Sequence, residues 1–204
     1  MTVAAIVLAA GASTRMGSPK PLIPWGNQPL LAWEIDQLMD SSVDEIVVVL
    51  GSRAEPVRRA LGDRVRYCVF NQRWQHGPAS SLVKGARALL SDQRLTPEAI
   101  VIQNLDQPTR ADIIDQLVDQ LLRARMSAVQ PSYEGHGGHP VVVAGHLLPL
   151  LLRADDRTLG LRGVLRQHPP LRMPMDDEPI VRLNLNTPDT LPQARALLGI
   201  PEAS

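Results

Sequence analysis

Residues 3 to 22 read Val3-Ala-Ala-Ile-Val-Leu-Ala-Ala-Gly-Ala-Ser-Thr-Arg-Met-Gly-Ser-Pro-Lys-Pro-Leu22, an apolar run that leads into a loop rich in donors. The run from Val3 to Ala9 is apolar throughout, which is typical of a strand buried on both faces of a parallel sheet. The loop offers N–H groups, hydroxyl groups and the cations Arg15 and Lys20. Open α/β sheets bind anions at such turns, where a buried strand ends. The stretch therefore predicts a phosphate-binding loop.

Two familiar phosphate loops do not match this stretch. The Walker pattern fails because five residues separate Gly11 from Gly17 and because Lys20 does not follow Gly17 directly. The dinucleotide pattern Gly-x-Gly-x-x-Gly fails because Ser13 stands in place of its second glycine. A longer loop remains, in which prolines flank Lys20 and limit the freedom that its backbone loses on binding. The alternative is a solvated βα connection, although such loops usually have roughly 2 to 6 residues.

Composition limits the class of protein. The 204 residues fit one domain, and the formal net charge of zero gives no reason to expect nucleic acid or a membrane surface as partner. The single cysteine, Cys68, lies in an apolar stretch, which indicates a core residue in a reducing compartment. The N-terminal apolar run is too short for a bilayer and lacks a basic segment before it. We expect one cytoplasmic domain over residues 1–204.

Apolar runs alternate with helical spacings along the chain. Besides the first strand, strands are predicted at 46–50, 64–70, 99–102, 127–132, 141–144 and 179–185. Helices are predicted at 28–39, 55–61, 80–90, 110–123, 145–152, 159–166 and 187–198. We expect Ser80 and Ser81 to cap the third helix, and Thr109 with Asp112 to form a capping box on the fourth. The alternation predicts an α/β fold with a parallel sheet.

Four loops should meet at one edge of this sheet, namely 10–21, 71–80, 104–108 and 184–189. Asp106 follows an apolar strand, and one carboxylate beside a cationic phosphate loop suits Mg²⁺, which also takes phosphate oxygens and waters. Asn184 and Asn186 lie two apart on the predicted last strand, so their side chains should point the same way and an amide oxygen could complete the metal site. The alternatives are turn and capping roles for Asp106 and both asparagines.

Other kinds of site have less support. His136 and His139 could suggest a zinc site, but their loop has no thiol or carboxylate at the spacing of a third ligand. The Gly-x-Ser-x-Gly motif of a nucleophilic serine is absent from the sequence. A basic stretch in the last third is either a solvated helix surface or a site for an anionic acceptor. Its members are Arg153, Arg157, Arg162, Arg166 and Arg172.

Leu8-Ala-Ala-Gly-Ala-Ser-Thr-Arg-Met-Gly17, followed by Lys20, resembles the signature of the MobA-like nucleotidyltransferases. Within this family the loop is similar to the molybdenum cofactor cytidylyltransferase branch, which has alanine at the position of Ala10. The guanylyltransferase branch usually has glycine there. Later motifs are similar to the cytidylyltransferase branch in the same order. They are Asn71…Gly77 with Ser80-Ser-Leu82, Asp106-Gln-Pro108, Gly138-His-Pro140 and Asn186-Thr-Pro188. The sequence departs from the branch at Asn184-Leu-Asn186, where Asp-x-Asp is usual, and at Leu105, where a small residue is common.

The resemblance implies a Rossmann-like (GT-A-like) α/β fold, a mostly parallel sheet with helices on both faces. It places the nucleoside triphosphate on residues Leu8, Ala9, Ala10, Gly11, Ser13, Arg15, Lys20, Asn71, Ser80 and Ser81. It gives catalytic roles to Arg15, Lys20 and Asp106, and it implies Mg²⁺ held by Asp106 and Asn186. It places the acceptor near Gln107, Gly138 and His139.

The expected reaction is transfer of CMP from CTP to the terminal phosphate of a molybdopterin-type cofactor, with release of pyrophosphate. The implied partners are CTP, a phosphorylated pterin-type acceptor, and a molybdoenzyme or its chaperone. Guanylyl or other nucleotidyl transfer to a molybdopterin, a sugar phosphate or a phospholactate-like acid is an alternative. A non-catalytic nucleotide-binding or cofactor-carrying module is another. The absent Gly-x-Gly-x-x-Gly disfavours a dehydrogenase.

Overall fold

The computed structural model describes residues 2–91 and 97–201, in which strands and helices alternate. The strands are β1 (Val3–Ala9), β2 (Pro24–Trp25), β3 (Gln28–Pro29), β4 (Glu45–Leu50), β5 (Tyr67–Phe70), β6 (Ala99–Asn104), β7 (Ala128–Tyr133), β8 (His136–Gly137), β9 (Val141–Ala144) and β10 (Leu171–Pro174). The α-helices are α1 (Leu30–Met39), α2 (Ala54–Leu61), α3 (Pro78–Ser91), α4 (Ala111–Ala124), α5 (Leu148–Leu151), α6 (Leu161–Gln167) and α7 (Leu191–Leu198).

One large sheet has the strand order β10-β7-β9-β6-β1-β4-β5, with β8 paired to β7, whereas β2 and β3 form a separate hairpin. β1 lies inside this sheet and pairs in parallel with β4 and β6. β9 is antiparallel to both of its neighbours, β6 and β7. The prediction of a mostly parallel α/β sheet is confirmed, and β9 is the strand that reverses direction within it.

Helices cover both faces of the sheet. On one face, the alternate residues Val3, Ala5 and Val7 of β1 belong to the same core cluster as side chains from α1, α2, α4 and α7. Ala4 and Ile6 point to the other face, where α3, α5 and α6 pack. An all-apolar strand fits this central place because neither of its faces meets water. The expectation of helices on both faces is therefore confirmed.

The predicted strand at 179–185 is wrong. Pro179–Arg182 forms a turn of 3₁₀-helix, and the consecutive residues Ile180 and Val181 are both buried, which does not fit the two-residue period of a half-buried strand. The sheet instead ends at β10, which was not predicted from the sequence. β10 finishes with Pro174, a residue that edge strands tolerate because one side of an edge strand needs no N–H donor.

Both predicted helix caps are also wrong. α3 begins at Pro78, because proline suits the first helical position. Ser80 and Ser81 therefore lie inside its first turn. At α4 the N-cap residue Arg110 makes no side-chain cap, and the Ala111 N–H donates to the Gln37 side-chain oxygen at 3.2 Å. The Thr109 hydroxyl is buried with no hydrogen-bond partner. Asp112 binds the Arg110 guanidinium instead of joining a capping box. The starts of both helices were nevertheless predicted to within two residues.

Across residues 2–91 and 97–201, no helix combines the length and the apolar character that crossing a membrane requires.

Candidate functional site

The loop after β1 is folded back on itself by Ser13. Ser13 adopts a left-handed conformation with φ of 54°, and its hydroxyl oxygen accepts a hydrogen bond from the Lys20 N–H at 3.1 Å. A turn of 3₁₀-helix covers Thr14–Met16, and Met16 is buried in the core. Ser13 and Met16 therefore anchor the loop, so that the segment between β1 and Lys20 has a defined shape.

Two glycines serve this loop in different ways. A Cβ on Gly51 would lie 2.6 Å from the Ala10 carbonyl oxygen, so Gly51 lets the neighbouring strand end approach the loop closely. A Cβ on Gly11 would meet no atom within 4 Å, and the φ of Gly11 is not left-handed. Neither conformation nor packing inside the protein requires glycine at position 11. Open space above its backbone is what a bound ligand would use.

The loop borders a cavity of about 560 Å³, named here the loop cavity. All four predicted loops contribute to it. Of the predicted site residues, the loop cavity is lined by Leu8, Ala9, Ala10, Gly11, Ser13, Arg15, Lys20, Ser81, Asp106 and Asn186. Trp74 and Gln75 also line it, although the sequence motifs assigned them no role. The predicted meeting of the loops at one sheet edge is what the structure shows.

Asn71 and Ser80 are not among the residues that line the loop cavity. The Asn71 amide nitrogen donates to the hydroxyl oxygens of Ser80 and Ser81, at 2.9 and 3.0 Å. The Asn71 side-chain oxygen accepts from the Arg73 N–H. With its hydrogen bonds used inside the protein, Asn71 joins the loop after β5 to α3 and holds Ser81 at the cavity wall.

Lys20 and Asp106 lie side by side in the wall of the loop cavity. The Lys20 Nζ lies 3.7 Å from Asp106 Oδ2, too far for a good hydrogen bond, and only 11% of the Lys20 side chain is exposed. Burial lowers the pKa of Lys20, and the negative charge of Asp106 opposes that shift. The Lys20 ammonium is partly desolvated, and Asp106 compensates only part of the lost hydration. An anionic ligand nearby would therefore stabilise its positive charge.

Asn186 lines the same cavity because a backbone hydrogen bond of its neighbour Leu185 holds it there. The Leu185 N–H donates to the Asp106 carbonyl oxygen at 2.7 Å, which brings Asn186 beside Asp106. Asn184 instead lines a different cavity, and its amide donates to the Arg182 carbonyl oxygen. The prediction that Asn184 and Asn186 point the same way is wrong, because this segment is not a strand.

The second cavity has a volume of about 970 Å³ and is named here the arginine cavity. It shares Leu8, Pro78, Asn104 and Asp106 with the loop cavity. Its cations are Arg162, Arg166, Arg172 and Arg182, and among residues 2–91 and 97–201 none of the four forms a salt bridge. The basic stretch in the sequence included the first three of these arginines but not Arg182, which was placed inside a strand.

Arg172 and Arg182 converge on one residue of the arginine cavity. The Arg182 guanidinium donates to the Gly137 carbonyl oxygen at 3.1 Å, and a Cβ on Gly137 would lie 2.6 Å from Arg172 Nη1. Arg153 and Arg157, the other members of the predicted basic stretch, line neither cavity, and Arg157 pairs with Asp155. The basic stretch therefore divides into arginines that line a cavity and arginines on the solvated surface.

His139 and Gln107, which the family resemblance places near the acceptor, both line the arginine cavity. The Asn104 amide nitrogen contacts both, at 3.3 Å from His139 Nδ1 and 2.9 Å from Gln107 Oε1. Burial lowers the pKa of His139 to about 4; the Asp106 charge opposes this shift and the Arg162 charge adds to it. The imidazole is therefore neutral at pH 7, and the cations of the arginine cavity are its arginines.

Gly138 is not among the residues that line the arginine cavity. A Cβ on Gly138 would overlap the Val181 carbonyl oxygen, and the Gly138 carbonyl accepts from the Gln130 amide. Gly138 thus allows close backbone packing beside His139, whose own N–H donates to that Val181 carbonyl.

Glu34 is a buried acid near the site that was not predicted from the sequence. It lies on the core-facing side of α1, and the residue is 2% exposed. The charges of both Lys20 and Asp106 act on it. The signal was available, because the helical spacing Leu30, Leu31, Glu34, Ile35 puts a carboxyl in an apolar stripe.

Comparison with known proteins gives one family. Residues 5–171 match the model of the MobA-like NTP transferase domain. Nicotine blue oxidoreductase from Paenarthrobacter nicotinovorans is 27% identical over 174 residues, which are 82% of this chain and 83% of that protein. Bifunctional protein GlmU from Symbiobacterium thermophilum is 34% identical over 128 residues, 62% of this chain, and the match spans 26% of that longer protein.

Solved structures share the whole fold. A homologue of Mycobacterium tuberculosis Rv0371c, from Mycobacterium sp. strain JC1, has a TM-score of 0.76 at 25% identity and covers 97% of both chains. Rv0371c of Mycobacterium tuberculosis in complex with manganese has a TM-score of 0.72 at 22% identity, over 95% of this chain and 98% of that one. Molybdopterin-guanine dinucleotide biosynthesis protein A from Archaeoglobus fulgidus has a TM-score of 0.68 at 18% identity, over 97% and 99%.

Proposed function

The chain belongs to the MobA-like NTP transferase family and is a nucleotidyltransferase, and on this premise we propose that it transfers CMP from CTP to the terminal phosphate of a molybdopterin-type cofactor. The observation that carries the proposal is that two cavities meet at Asp106, one bordered by the loop after β1 and the other by arginines. A triphosphate in the loop cavity and an anionic acceptor in the arginine cavity would bring their reacting groups together at Asp106. Residues 1–204 would act as one domain.

The residues around Asp106 fit a divalent metal ion such as Mg²⁺. Mg²⁺ takes one or two protein oxygens and completes its octahedron with phosphate oxygens and waters. The loop cavity offers the Asp106 carboxylate and the Asn186 amide oxygen. Residues 2–91 and 97–201 contain no group of three or more histidine, cysteine, aspartate or glutamate side chains that could hold a metal ion. Asp106 and Asn186 would hold the ion, which would supply charge neutralisation at the phosphates; a relative of the same fold contains manganese.

The reaction needs little acid–base chemistry from the protein. An oxygen of the acceptor phosphate attacks the α-phosphorus of CTP, the bond from this phosphorus to the bridging oxygen breaks, and pyrophosphate leaves. The attacking phosphate is already an anion, so no strong general base is required. Lys20 and Arg15 would neutralise the charge that develops on pyrophosphate, and the two cavities would align attacking and leaving groups.

The arginine cavity supports an anionic acceptor. Guanidinium groups bind phosphate through paired N–H donors, and Arg162, Arg166 and Arg172 have no carboxylate partner among the described residues. The identity of the acceptor as a phosphorylated pterin, and its later transfer to a molybdoenzyme or its chaperone, rest on the family resemblance. The preference for CTP rests on the same ground, through Ala10.

A pyrophosphate-release assay tests the proposal. The purified chain is given CTP, GTP, ATP or UTP with Mg²⁺ or Mn²⁺, and each is paired with a molybdopterin-type cofactor, a sugar 1-phosphate or a phospholactate. We expect the fastest release with CTP and the pterin-type acceptor. A preference for GTP would replace the cytidylyl assignment by guanylyl transfer, and a preference for another acceptor would replace the pterin. CTP binding without pyrophosphate release for any acceptor would favour a carrier, which the amides Asn184 and Asn186 in place of acids also suit.

A second candidate activity follows from one relative. Nicotine blue oxidoreductase is 27% identical over most of both chains, so hydride transfer is the competing chemistry. The loop after β1 lacks Gly-x-Gly-x-x-Gly, the pattern expected of a dinucleotide-binding loop. Titration with NADH and NADPH by fluorescence separates the two. Tight binding of either, with no pyrophosphate release from any triphosphate, would favour the oxidoreductase.

A further inference from the structure

Glu34 and Gln103 form a buried polar pair beneath the point where the two cavities meet. Glu34 lies on α1 and Gln103 on β6, and the two residues are 2% and 1% exposed. The Gln103 amide nitrogen donates to Glu34 Oε2 at 3.3 Å. Both partners lie at the edge of the apolar core, out of contact with solvent. A charge placed there would lack hydration, so an ionised Glu34 would be costly unless it were fully hydrogen-bonded.

The orientation of the Gln103 amide is fixed by the backbone. Its nitrogen also donates to the carbonyl oxygens of Asn104 and Gln107, at 3.1 and 2.7 Å. A flipped amide would turn an oxygen toward two carbonyl oxygens, which is repulsive. The Gln103 side-chain oxygen therefore points elsewhere and needs a donor.

Two buried oxygens of this pair have no hydrogen-bond partner. They are Gln103 Oε1 and Glu34 Oε1, and both can only accept while Glu34 is ionised. A buried acceptor without a donor is destabilising because it has given up its bond to water. One proton on Glu34 converts its carboxyl into a donor, and an acid and an amide can then bond reciprocally, each donating to the other.

We propose that Glu34 is a neutral carboxylic acid that donates a hydrogen bond to Gln103, and that this pair is the support which positions Asp106. Burial raises the pKa of Glu34 well above its ordinary range, and the charge of Asp106 raises it further. The Gln103 hydrogen bond and the Lys20 charge oppose these shifts. Within the described part of the chain the salt bridge of Lys20 is to Asp106, and Lys20 forms no ion pair with the Glu34 carboxyl.

The path from Glu34 to Asp106 is short and continuous. Gln103 ties the carbonyls of Asn104 and Gln107, which flank Asp106 in the chain, and the Gln107 N–H donates back to the Asn104 carbonyl. The Asn104 amide in turn binds Gln107 Oε1. This closed turn presents Asp106 to both cavities. Glu34 is thus a positioning residue, and this part of the inference rests on the proposed metal-binding role of Asp106.

Two substitutions separate a neutral acid from an ionised one. Glu34→Gln keeps the shape and can both donate to and accept from Gln103, so the variant should keep the wild-type kcat and metal activation within about two-fold. Glu34→Met keeps the volume but removes both hydrogen bonds. It should lower kcat and raise the Mg²⁺ concentration for half-activation by about 10-fold, the scale for losing a support of a metal ligand. The KM for the triphosphate should change less than kcat.

Two measurements on the free protein do not depend on activity. The infrared difference between wild type and Glu34→Gln at pH 7 should contain the carbonyl band of a protonated carboxylic acid. Amide hydrogen exchange at residues 104–107 should be faster in Glu34→Met and unchanged in Glu34→Gln. These measurements stand even if the reaction proves to differ from the proposed one, so failure of the inference and failure of the proposed function are distinguishable.

The inference is overturned if the infrared difference contains only carboxylate bands, because Glu34 is then ionised. It is also overturned if Glu34→Gln loses as much activity as Glu34→Met, or if a folded Glu34→Met keeps the wild-type exchange and metal activation. Should Glu34→Met fail to fold, the infrared band decides the protonation state and wild-type metal activation of Glu34→Gln decides whether a neutral partner suffices.

Discussion

The loop cavity and the arginine cavity meet at Asp106 but are built in different ways. About half of the residues that line the loop cavity come from one stretch of chain, residues 8–20, which also supplies the cations Arg15 and Lys20. The arginine cavity draws on segments that are far apart in sequence, from Leu8 on β1 to Asn184, and presents four guanidinium groups. The loop after β1, with its backbone N–H groups and two cations, suits a triphosphate. The four guanidinium groups suit a second anionic group.

The largest expected effect is at the boundary of the two cavities. Lys20→Ala and Asp106→Ala should each lower turnover by at least about 100-fold, the scale for losing one preorganised group that stabilises charge in the transition state. Pyrophosphate release under saturating substrates measures this. Lys84→Ala is the matched control, because Lys84 is exposed on α3 and lines neither cavity. Wild-type turnover in either variant would remove that residue from the mechanism and weaken the view that the cavities form one site.

The same contrast explains what the sequence could predict about the fold. β1, β4 and β6 are buried on both faces, so uninterrupted apolar runs identified them and their parallel pairing followed from the intervening helices. The segment at 171–185 is different. β10 is short, half-exposed and ends in proline, whereas Ile180 and Val181 are apolar because they pack as a turn against the core. Tertiary packing determines these two segments, and no local period reveals it.

The candidate site divides in the same way. Lys20, Asp106 and the loop after β1 could be predicted because their chemistry is local to single strand ends. Arg182 could not, since its place depends on the turn Pro179–Arg182, which was predicted as a strand. Asn71 was expected at the nucleotide, but its amide is used by Ser80 and Ser81, a pairing that only the folded chain reveals.

Acidification should test whether the arginines alone charge the arginine cavity. His139 has its pKa lowered to about 4 in the folded protein, against 6.5 as its ordinary value, so below pH 6.5 the unfolded chain binds the proton first. The contribution of the neutral His139 to stability is therefore present above pH 6.5 and is lost as the pH falls toward 4. Between pH 7 and pH 5 the free energy of unfolding should fall by about 2 kcal/mol through His139.

Denaturant unfolding at several pH values measures this loss. His139→Gln should make the stability less dependent on pH in the same window, while His168→Gln serves as a control outside both cavities. A wild-type stability that stays constant from pH 7 to pH 5 would mean that His139 is readily protonated and that the cavity gains a fifth cation.

The arginine cavity should affect the acceptor and not the nucleotide. The double variant Arg172→Gln and Arg182→Gln should raise the KM for an anionic acceptor at least about 10-fold, since a charge-assisted hydrogen bond contributes about 1.5–3 kcal/mol. The KM for the triphosphate should stay within about two-fold. The double variant Arg153→Gln and Arg157→Gln removes the same charge outside both cavities and should change neither constant. Equal effects of the two pairs would show a general charge effect, and a change in nucleotide KM would show that the cavities are not separate.

The smallest expected effect concerns the open backbone of the loop cavity. Gly11→Ala adds a methyl group where no protein atom lies within 4 Å, in a conformation that alanine accepts, so stability should rise by about 0.4–1 kcal/mol through the unfolded chain. The same methyl group would intrude on the bound triphosphate, and it should raise the nucleotide KM about five-fold, a cost of roughly 1 kcal/mol.

Gly62→Ala is the control for Gly11→Ala, because Gly62 also has open space around it but has a left-handed φ of 57°. It should lower stability and leave the nucleotide KM unchanged. Thermal unfolding and steady-state kinetics on the two variants give opposite patterns if the loop cavity holds the triphosphate against the Gly11 backbone. A nucleotide KM that Gly11→Ala leaves unchanged would place the triphosphate away from this glycine.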